Sequence, residues 1–175
     1  MLNLPNRRQT GFTILELLVV ILIIGMIMSF AALSVGGGAD RTVEQEAKRL
    51  TALMRLASEE SIMNSRDMVL QLTRTQYSFL LLDEATQQLV PMAEEETIFR
   101  ARELPDNVLL KEAEIGGESV TLSVDPGKDE DPPTIFILSS GEMTPFVIQV
   151  GRDDGPDYEV TGDFTGKILF EKIDK

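Results

Sequence analysis

The amino-acid sequence predicts an α+β fold in which one long N-terminal helix lies on antiparallel β-sheet. Three observations carry this prediction. From Leu17 to Ala39 there are 23 residues without a charge, and most of them are Leu, Val, Ile, Met, Ala or Phe. An amphipathic helical pattern follows and extends to about Arg66. Beyond Arg66 the hydrophobic period changes from that of a helix to that of a strand.

The uncharged run predicts a single membrane-spanning helix. At about 1.5 Å per residue it reaches roughly 35 Å, which exceeds a bilayer core of about 30 Å. Arg7 and Arg8 precede the run, so we expect the N-terminus to be cytoplasmic and the remainder to lie across the membrane. Ser29, Ala31 and Ala32 imitate the cleavage site of a secretory signal, but the apolar core of such a signal has only about 7–15 residues.

One acidic residue, Glu16, interrupts the start of this apolar segment. A generic single-pass anchor explains the length and the orientation of the segment but does not explain Glu16. A carboxylate in a membrane-spanning helix costs about 2.5–3.5 kcal/mol, so an anchor without a further role would omit it.

The sequence from Gly11 to Val20, GFTILELLVV, resembles the class III signal of type IV pilins and type II secretion pseudopilins. The resemblance implies that a prepilin peptidase and N-methyltransferase cuts between Gly11 and Phe12 and methylates the amine of Phe12. It also gives Glu16 a role in assembly. The carboxylate of Glu16, in the same or a neighbouring subunit, can neutralise the new amine inside a bundle of helices, where a lone charge is costly.

Gly36, Gly37 and Gly38 follow the apolar run. Each glycine weakens a helix by up to about 1 kcal/mol relative to Ala. The pilin family usually has one long helix through this region, which leaves two alternatives. Either the helix continues through the glycines, or residues 36–39 form a hinge that lets the globular domain tilt during assembly.

The amphipathic helix is predicted over residues 40–66, with Asp40 as a favoured N-cap residue. Leu53, Leu56 and Ile62 are expected to widen its buried stripe, and Glu46 is expected to lie off the stripe with most other charged residues. The stripe itself consists of residues spaced by three or four: Val43, Ala47, Leu50, Met54, Ala57 and Ser61.

Alternating hydrophobic patterns beyond the helix predict nine strands, separated by Gly- and Pro-containing turns. The predicted strands are Met68–Thr73, Gln76–Leu82, Leu89–Met92, Val108–Lys111, Ser119–Val124, Thr134–Leu138, Thr144–Val150, Asp157–Val160 and Lys167–Ile173.

With the resemblance, these segments give a pilin-like organisation. Residues 1–11 are a leader removed by prepilin peptidase, and residues 12–35 are a transmembrane and filament-core helix. The glycine hinge covers 36–39, the amphipathic helix 40–66, and an antiparallel β domain in the periplasm 67–175. The expected location is the bacterial inner membrane, with a single pass, a cytoplasmic N-terminus and a periplasmic C-terminal domain.

Three further segments are similar to H-type minor pseudopilins of the type II secretion system: Arg49–Ser61, Arg102–Val108 and Ile135–Phe146. This resemblance implies a structural subunit near the tip of the periplasmic pseudopilus that supports export of folded proteins across the outer membrane. The implied partners are other major and minor pseudopilins, the prepilin peptidase and the inner-membrane assembly platform.

The segment Ile135–Phe146 predicts a hairpin with Ser140 and Gly141 at its turn. Pro145 lacks an N–H, so it favours a strand start, and Phe136 and Phe146 are expected to face inward. A stable turn with buried aromatic side chains explains the pattern. The alternative is that the turn residues contact a partner directly: Ser139, Ser140, Gly141 and Glu142.

Composition argues against other classes of protein. The chain has 16 Lys/Arg and 29 Asp/Glu residues, of which Arg7, Arg8 and Glu16 precede Asp40. The residues from Asp40 onward therefore include 14 Lys/Arg and 28 Asp/Glu, a net charge of −14. This negative charge repels nucleic acid. There is no His and no Cys, and no phosphate-binding loop, so neither an enzyme nor a bound cofactor or metal is predicted.

Two alternatives share features with the prediction. The acidic loops Asp129–Asp131 and Asp153–Asp163 offer oxygen ligands for calcium without EF-hand spacing, and solvation also explains them. A minor type IV pilin of the FimT-like kind, in pilus biogenesis or DNA uptake, shares the fold and the signal. The four basic and seven acidic residues from Arg152 to Lys175 weaken a DNA-binding version of that alternative.

Overall fold

The computed structural model describes residues 13–83, 85–92, 98–125, 127 and 131–173; for residues 30–39 it describes the backbone alone. The chain forms two compact units, Met1–Ala39 and Asp40–Lys175. The first contains the N-terminal part of helix α1, which spans Ile14–Asn64. The second contains the remainder of α1 and two five-stranded antiparallel sheets. The predicted α+β class is therefore confirmed.

Helix α1 is one element of 51 residues and includes Gly36–Gly38. A hinge concerns motion, so the prediction for residues 36–39 stays a prediction. The helix ends at Asn64, two residues before the predicted end. The six residues of the predicted stripe, from Val43 to Ser61, are all buried, at no more than 1% exposure.

Two side chains of α1 differ from the prediction. Glu46, expected off the stripe, is only 6% exposed, because it lies one turn before Leu50 on the edge of the buried face. Ile62, expected to widen the stripe, is 49% exposed because it lies in the last turn, beside the loop at Gly141.

The first sheet consists of β1 (Met68–Leu72), β2 (Gln76–Asp83), β3 (Gln88–Pro91), β4 (Arg102–Glu103) and β7 (Thr134–Ile137). Their order is β3-β2-β1-β7, and β4 also pairs with β2. Strands β3 and β4 share one edge of β2: Leu80–Asp83 pair with β3, and Gln76 and Tyr77 pair with β4.

The second sheet consists of β5 (Leu109–Ile115), β6 (Glu118–Val120), β8 (Phe146–Gly151), β9 (Asp157–Gly162) and β10 (Ile168–Ile173). Their order is β10-β9-β8-β5-β6. The register of β5 against β8 shifts between Leu110 and Glu112, which marks a bulge. One core joins the buried face of α1 to both sheets, from Val43 to Ile168.

All nine predicted strands are present, with shifted ends. Strand β4 was not predicted, since two residues are too few to show alternation. Strand β6 is shorter than predicted and ends at Val120, and β8 begins only after Pro145, which cannot donate to the ladder.

The segment Ile135–Phe146 is not a simple hairpin. Strand β7 belongs to the first sheet and β8 to the second, and only a local bridge between Ile137 and Met143 pairs the two arms. The prediction that Phe136 faces inward is wrong: it is 40% exposed, because Ile135 and Ile137 on either side occupy the buried face. Phe146 is 3% exposed, as predicted.

Candidate functional site

The predicted processing site, Gly11 and Phe12, lies outside the described residues. The first described residue, Thr13, is the N-cap of α1. Its carbonyl oxygen accepts hydrogen bonds from the backbone N–H groups of Glu16 at 3.1 Å and Leu17 at 3.2 Å, and its hydroxyl oxygen accepts a second one from Glu16 N–H at 3.3 Å. The helix start is therefore fixed by the side chain of the second residue after the predicted cut.

Glu16 lies in the first turn of α1, three residues after Thr13, and its side chain is exposed. Within the part of the chain that the structure describes, its carboxylate forms no ion pair. The Thr-x-x-Glu spacing is that of a capping box, in which a Glu or Gln also supports the helix start. Glu16 can therefore act in two ways. Its carboxylate can interact favourably with the positive, N-terminal end of the helix dipole, and it can pair with a cation from another residue or subunit.

The apolar side chains that follow Glu16 are exposed along the described part of the first unit. Leu17, Leu22 and Met28, for example, are 55%, 68% and 68% exposed. In the described residues, no helix is both long and apolar enough to cross a membrane.

The predicted contact residues, Ser139–Glu142, form a tight turn after β7. Leu138 N–H donates to Glu142 O at 2.8 Å, and Gly141 N–H donates to Leu138 O at 2.9 Å. Gly141 has a φ of 90°, a conformation that L side chains rarely adopt. Ser140 and Glu142 are exposed, whereas Ser139 and Gly141 are half-buried.

The turn is held by its neighbours. Asp67 Oδ1 accepts a hydrogen bond from Ser139 N–H at 2.8 Å, and Ser61 on α1 donates to Leu138 O at 3.3 Å. On the other side, a Cβ at Gly166 would come within 2.7 Å of Gly141 O. These contacts fit the structural explanation of the turn, and they leave the side chains of Ser140 and Glu142 accessible.

Asp157 and Asp163 of the second acidic loop each have partners within the chain. Asp157 is 2% exposed and pairs with Lys111 Nζ at 3.1 Å. Asp163 accepts hydrogen bonds from the Thr165 hydroxyl and from the backbone N–H of Lys167 and Thr165, which hold the pKa of its carboxyl below the usual value. Among the described residues, no group of three or more Asp or Glu side chains is arranged to hold a metal ion. Asp129 and Glu130 lie outside the described residues.

Sequence reasoning missed a polar cluster where α1 meets the edge of the first sheet. Glu46 accepts a hydrogen bond from Arg49 Nη1 at 2.8 Å. Tyr77 is 1% exposed and is the cross-strand neighbour of Arg102. Burial raises the pKa of Tyr77 to about 12; the charge of Glu46 adds to the shift, and Arg102 and Arg49 oppose it. The sequence did contain a signal for this cluster: Glu46 lies four residues before Leu50, a spacing that places it on the same face of the helix as the buried stripe.

Two family models match this chain. The prokaryotic N-terminal methylation motif matches residues 6–32, and the type II transport protein GspH model matches residues 46–166. The chain is similar to the type II secretion system protein H of Pseudomonas aeruginosa, with 33% identity covering 86% of this chain and 87% of the relative. It is 30% identical to the protein of the same name from Aeromonas hydrophila, covering 85% and 84%.

Two solved structures share the fold. The minor pseudopilin EpsH from the type 2 secretion system of Vibrio cholerae superimposes with a TM-score of 0.61 and 21% identity, covering 74% of this chain and 95% of that one. The solution structure of E. coli GspH gives a TM-score of 0.56 and 14% identity, covering 77% and 90%. Both are α+β structures of the same kind as this chain.

Proposed function

We propose a function for this chain from one premise: it belongs to the type II transport protein GspH family, whose model matches residues 46–166. The chain is a minor pseudopilin of a type II secretion system. The observation that carries this function is the combination of the GspH match with an N-terminal methylation motif over residues 6–32. Family membership implies that it interacts with other pseudopilins.

The finer role that we propose is that of a structural subunit near the tip of the periplasmic pseudopilus, which supports export of folded proteins across the outer membrane. The structural neighbours are minor pseudopilins rather than enzymes, which supports a structural role. A deletion strain should lose export of folded substrates. Export that continues at the wild-type rate would contradict the role.

The N-terminus is proposed to be processed between Gly11 and Phe12, with methylation of the new amine, by a prepilin peptidase and N-methyltransferase. The methylation motif at residues 6–32 supports this proposal. The intact mass of the purified protein checks it directly: the expected loss is residues 1–11, with one added methyl group. Gly11→Leu should leave the leader attached, whereas Gly25→Leu, within the same motif but away from the cut, should not.

The methylation motif and the family imply an inner-membrane-anchored periplasmic protein. We propose the finer topology of a single pass, with the N-terminus cytoplasmic and the C-terminal domain periplasmic, and contact with the inner-membrane assembly platform. Arg7 and Arg8 support the orientation. Alkaline phosphatase fused after Lys175 should be active, because that enzyme requires the periplasm, and an inactive fusion would reverse the topology.

Glu16 is proposed to pair with the amine of Phe12, in its own or a neighbouring subunit. The capping box offers the competing explanation, and Glu16→Gln separates the two. Gln can make the same side-chain capping hydrogen bond as Glu but removes the charge. Charge pairing therefore predicts that Glu16→Gln and Glu16→Ala both insert, are both processed, and both assemble poorly.

The experiment measures secretion and crosslinked pseudopilin complexes in cells that carry each variant. Glu16→Asp, which keeps the charge, is the matched control and should retain more assembly than Glu16→Gln. Wild-type secretion with Glu16→Gln would favour capping and contradict charge pairing.

The glycines at 36–38 are proposed to act as a hinge between the two units of the chain. The boundary between those units falls after Ala39, which supports the proposal. Replacing Gly36–Gly38 together with Ala should lower secretion without changing the amount of protein. Unchanged secretion would contradict the hinge and indicate that the glycines act as ordinary helical residues.

Direct partner contact is proposed for the turn Ser139–Glu142, through the exposed side chains of Ser140 and Glu142. A photo-crosslinking residue at Ser140 should capture another pseudopilin. The same residue at Ser119, exposed on the short strand β6, is the control. Equal capture at both positions would contradict a specific contact.

A further inference from the structure

Three arginine side chains line one cavity in a chain whose net charge is −13. The cavity has a volume of about 480 Å³ and lies where helix α1 faces the edge of the first sheet. Its lining consists of Arg49, Gln76, Arg100, Ala101, Arg102 and Glu103. Such a concentration of guanidinium groups runs against the overall charge of the protein. We refer to it as the arginine cavity.

The walls of the arginine cavity are fixed by regular structure. Arg49 projects from α1, and its Nη1 is held by the buried carboxylate of Glu46 at 2.8 Å. Arg102 lies on strand β4, directly opposite Tyr77 of β2. The segment that leads into β4 is anchored by Phe99, which is 2% exposed and packs edge-on against Phe79 with ring centroids 5.3 Å apart. The backbone that carries the guanidinium groups is therefore ordered.

Two buried polar atoms on the paired strands β2 and β4 lack a hydrogen-bond partner within the described residues: Tyr77 Oη and Arg102 Nε. A buried donor without a partner costs about 1–3 kcal/mol, so such atoms are normally satisfied. Arg102 Nη2 already donates to Ile98 O at 3.1 Å, and the carboxylate of Glu46 is taken by Arg49. Both atoms are closed to the surface, so a ligand in the cavity meets the exposed N–H groups of the three guanidinium groups rather than these two atoms.

A carboxylate is the group that fits these donors. It carries two acceptor oxygens and no donor, and Arg binds it with parallel, charge-assisted hydrogen bonds. A long polyanion such as nucleic acid is repelled by the charge of the domain, since the residues from Asp40 onward carry 28 acidic side chains against 14 basic ones. A short acidic protein segment carries fewer charges and meets less of that repulsion.

We infer that the arginine cavity binds the carboxylate of a Glu or Asp side chain from an acidic segment of a protein partner. The identification of that partner as another pseudopilin subunit rests on the proposed function. Binding of a carboxylate at this position does not. The cavity is then a specific contact on the sheet edge, distinct from the turn Ser139–Glu142.

The test measures binding of a fluorescently labelled hexaglutamate peptide to the full chain in a non-ionic detergent, at an ionic strength of about 0.1 M, by fluorescence anisotropy. Arg100→Gln removes one exposed guanidinium from the cavity. Arg74→Gln is the matched control, because Arg74 is also an exposed arginine but does not line the cavity. Circular dichroism of both variants checks that the fold is kept.

We expect Arg100→Gln to raise the Kd for hexaglutamate by about fivefold or more, from loss of one charge-assisted contact. Arg74→Gln should change it by less than about twofold, since an exposed charge outside the site is screened. No binding by the wild-type chain, or equal weakening by both variants, would overturn the inference. So would tighter binding of a single-stranded oligonucleotide than of the peptide. Because none of these outcomes depends on secretion, they are distinguishable from failure of the proposed function.

Discussion

Gly151 and Gly162 lie where side chains of the second sheet cross directly over the backbone. A Cβ built on Gly162 would be 2.2 Å from Cε1 of Phe146, and one built on Gly151 would be 1.9 Å from Oδ1 of Asp157. Neither glycine has a positive φ, so space rather than backbone conformation requires them. Phe146 can be buried at the start of β8 because the residue opposite it on β9 has no side chain.

Gly162→Ala should therefore destabilise the protein. The added methyl group must displace the ring of Phe146 from the core, and overpacking of this kind costs about 1–3 kcal/mol. The free energy of unfolding in urea, followed by circular dichroism, measures the loss. Gly127→Ala is the control, because a Cβ there meets nothing within 4 Å. Equal stability of the two variants would show that Phe146 is not confined as described.

Tyr77 links the buried polar cluster to the pH dependence of stability. Burial raises the pKa of Tyr77 from 10.0 to about 12, with Glu46 adding to the shift. The folded pKa lies above the unfolded one, so this contribution to stability is fully present below pH 10.0. It is lost as pH rises toward about 12, when the unfolded chain releases the phenolic proton more readily.

Tyr77→Phe should remove that alkaline loss, so that its stability falls less than that of the wild type between pH 10 and pH 12. At neutral pH the variant should be as stable as the wild type or slightly more stable, because it deletes a buried hydroxyl without a partner among the described residues. Urea unfolding at both pH values measures the difference. Tyr158→Phe is the comparison. A strong loss of stability in Tyr77→Phe at neutral pH would mean that the Tyr77 hydroxyl forms a hydrogen bond in the folded protein.

At the scale of elements, helix α1 ends in an arrangement of hydrogen bonds known as a Schellman motif. Arg66 N–H donates to Ser61 O at 3.1 Å, and Ser65 N–H donates to Ile62 O at 3.4 Å. Ser65 occupies the left-handed position with a φ of 51°, where glycine is usual. The helix therefore ends by a local motif that a residue-by-residue search for Gly or Pro does not detect.

Ser65→Gly should stabilise the protein by about 0.5–1 kcal/mol, because glycine reaches this conformation without the steric cost of a Cβ. Ser119→Gly is the matched control. Ser119 lies in strand β6 and has no positive φ, so the same change there should be destabilising. Thermal unfolding of both variants compares them. A lower melting temperature for Ser65→Gly would contradict the steric explanation of the helix end.

Most elements were predictable because their patterns are local. The buried stripe from Val43 to Ser61 and the nine alternating segments needed only the residues themselves. The relation between β7 and β8 was not predictable in this way. A short turn with Ser140 and Gly141 favours a hairpin locally, but the chain changes sheets at Pro145, and that choice depends on strands far along the sequence.

At the scale of the whole molecule, the candidate sites also differ in whether a local sequence pattern predicts them. The processing residues and Glu16 lie close together in sequence, between Gly11 and Glu16, so a short motif was enough to predict them. The arginine cavity joins Arg49 on α1 to Gln76 on β2 and Arg102 on β4. Its lining residues span more than fifty positions of the chain, from Arg49 to Glu103, and converge only through packing, which no periodicity or spacing reveals.

The division of the chain after Ala39 gives a final prediction. The second unit, Asp40–Lys175, contains the whole hydrophobic core, from Val43 of α1 to Ile168 of β10. A chain of residues 40–175 should therefore fold without the first unit and unfold in one cooperative step, with coincident transitions by circular dichroism and tyrosine fluorescence.

Exported to the periplasm by a cleavable secretory signal, this fragment should leave secretion at the level of the deletion strain. It lacks Glu16, through which we propose that subunits assemble, and it lacks the apolar run before Asp40. The full chain from the same promoter is the control. Restored secretion by the fragment would show that the folded domain alone performs the function, whereas a broad, non-coincident transition would show that its core depends on the first unit.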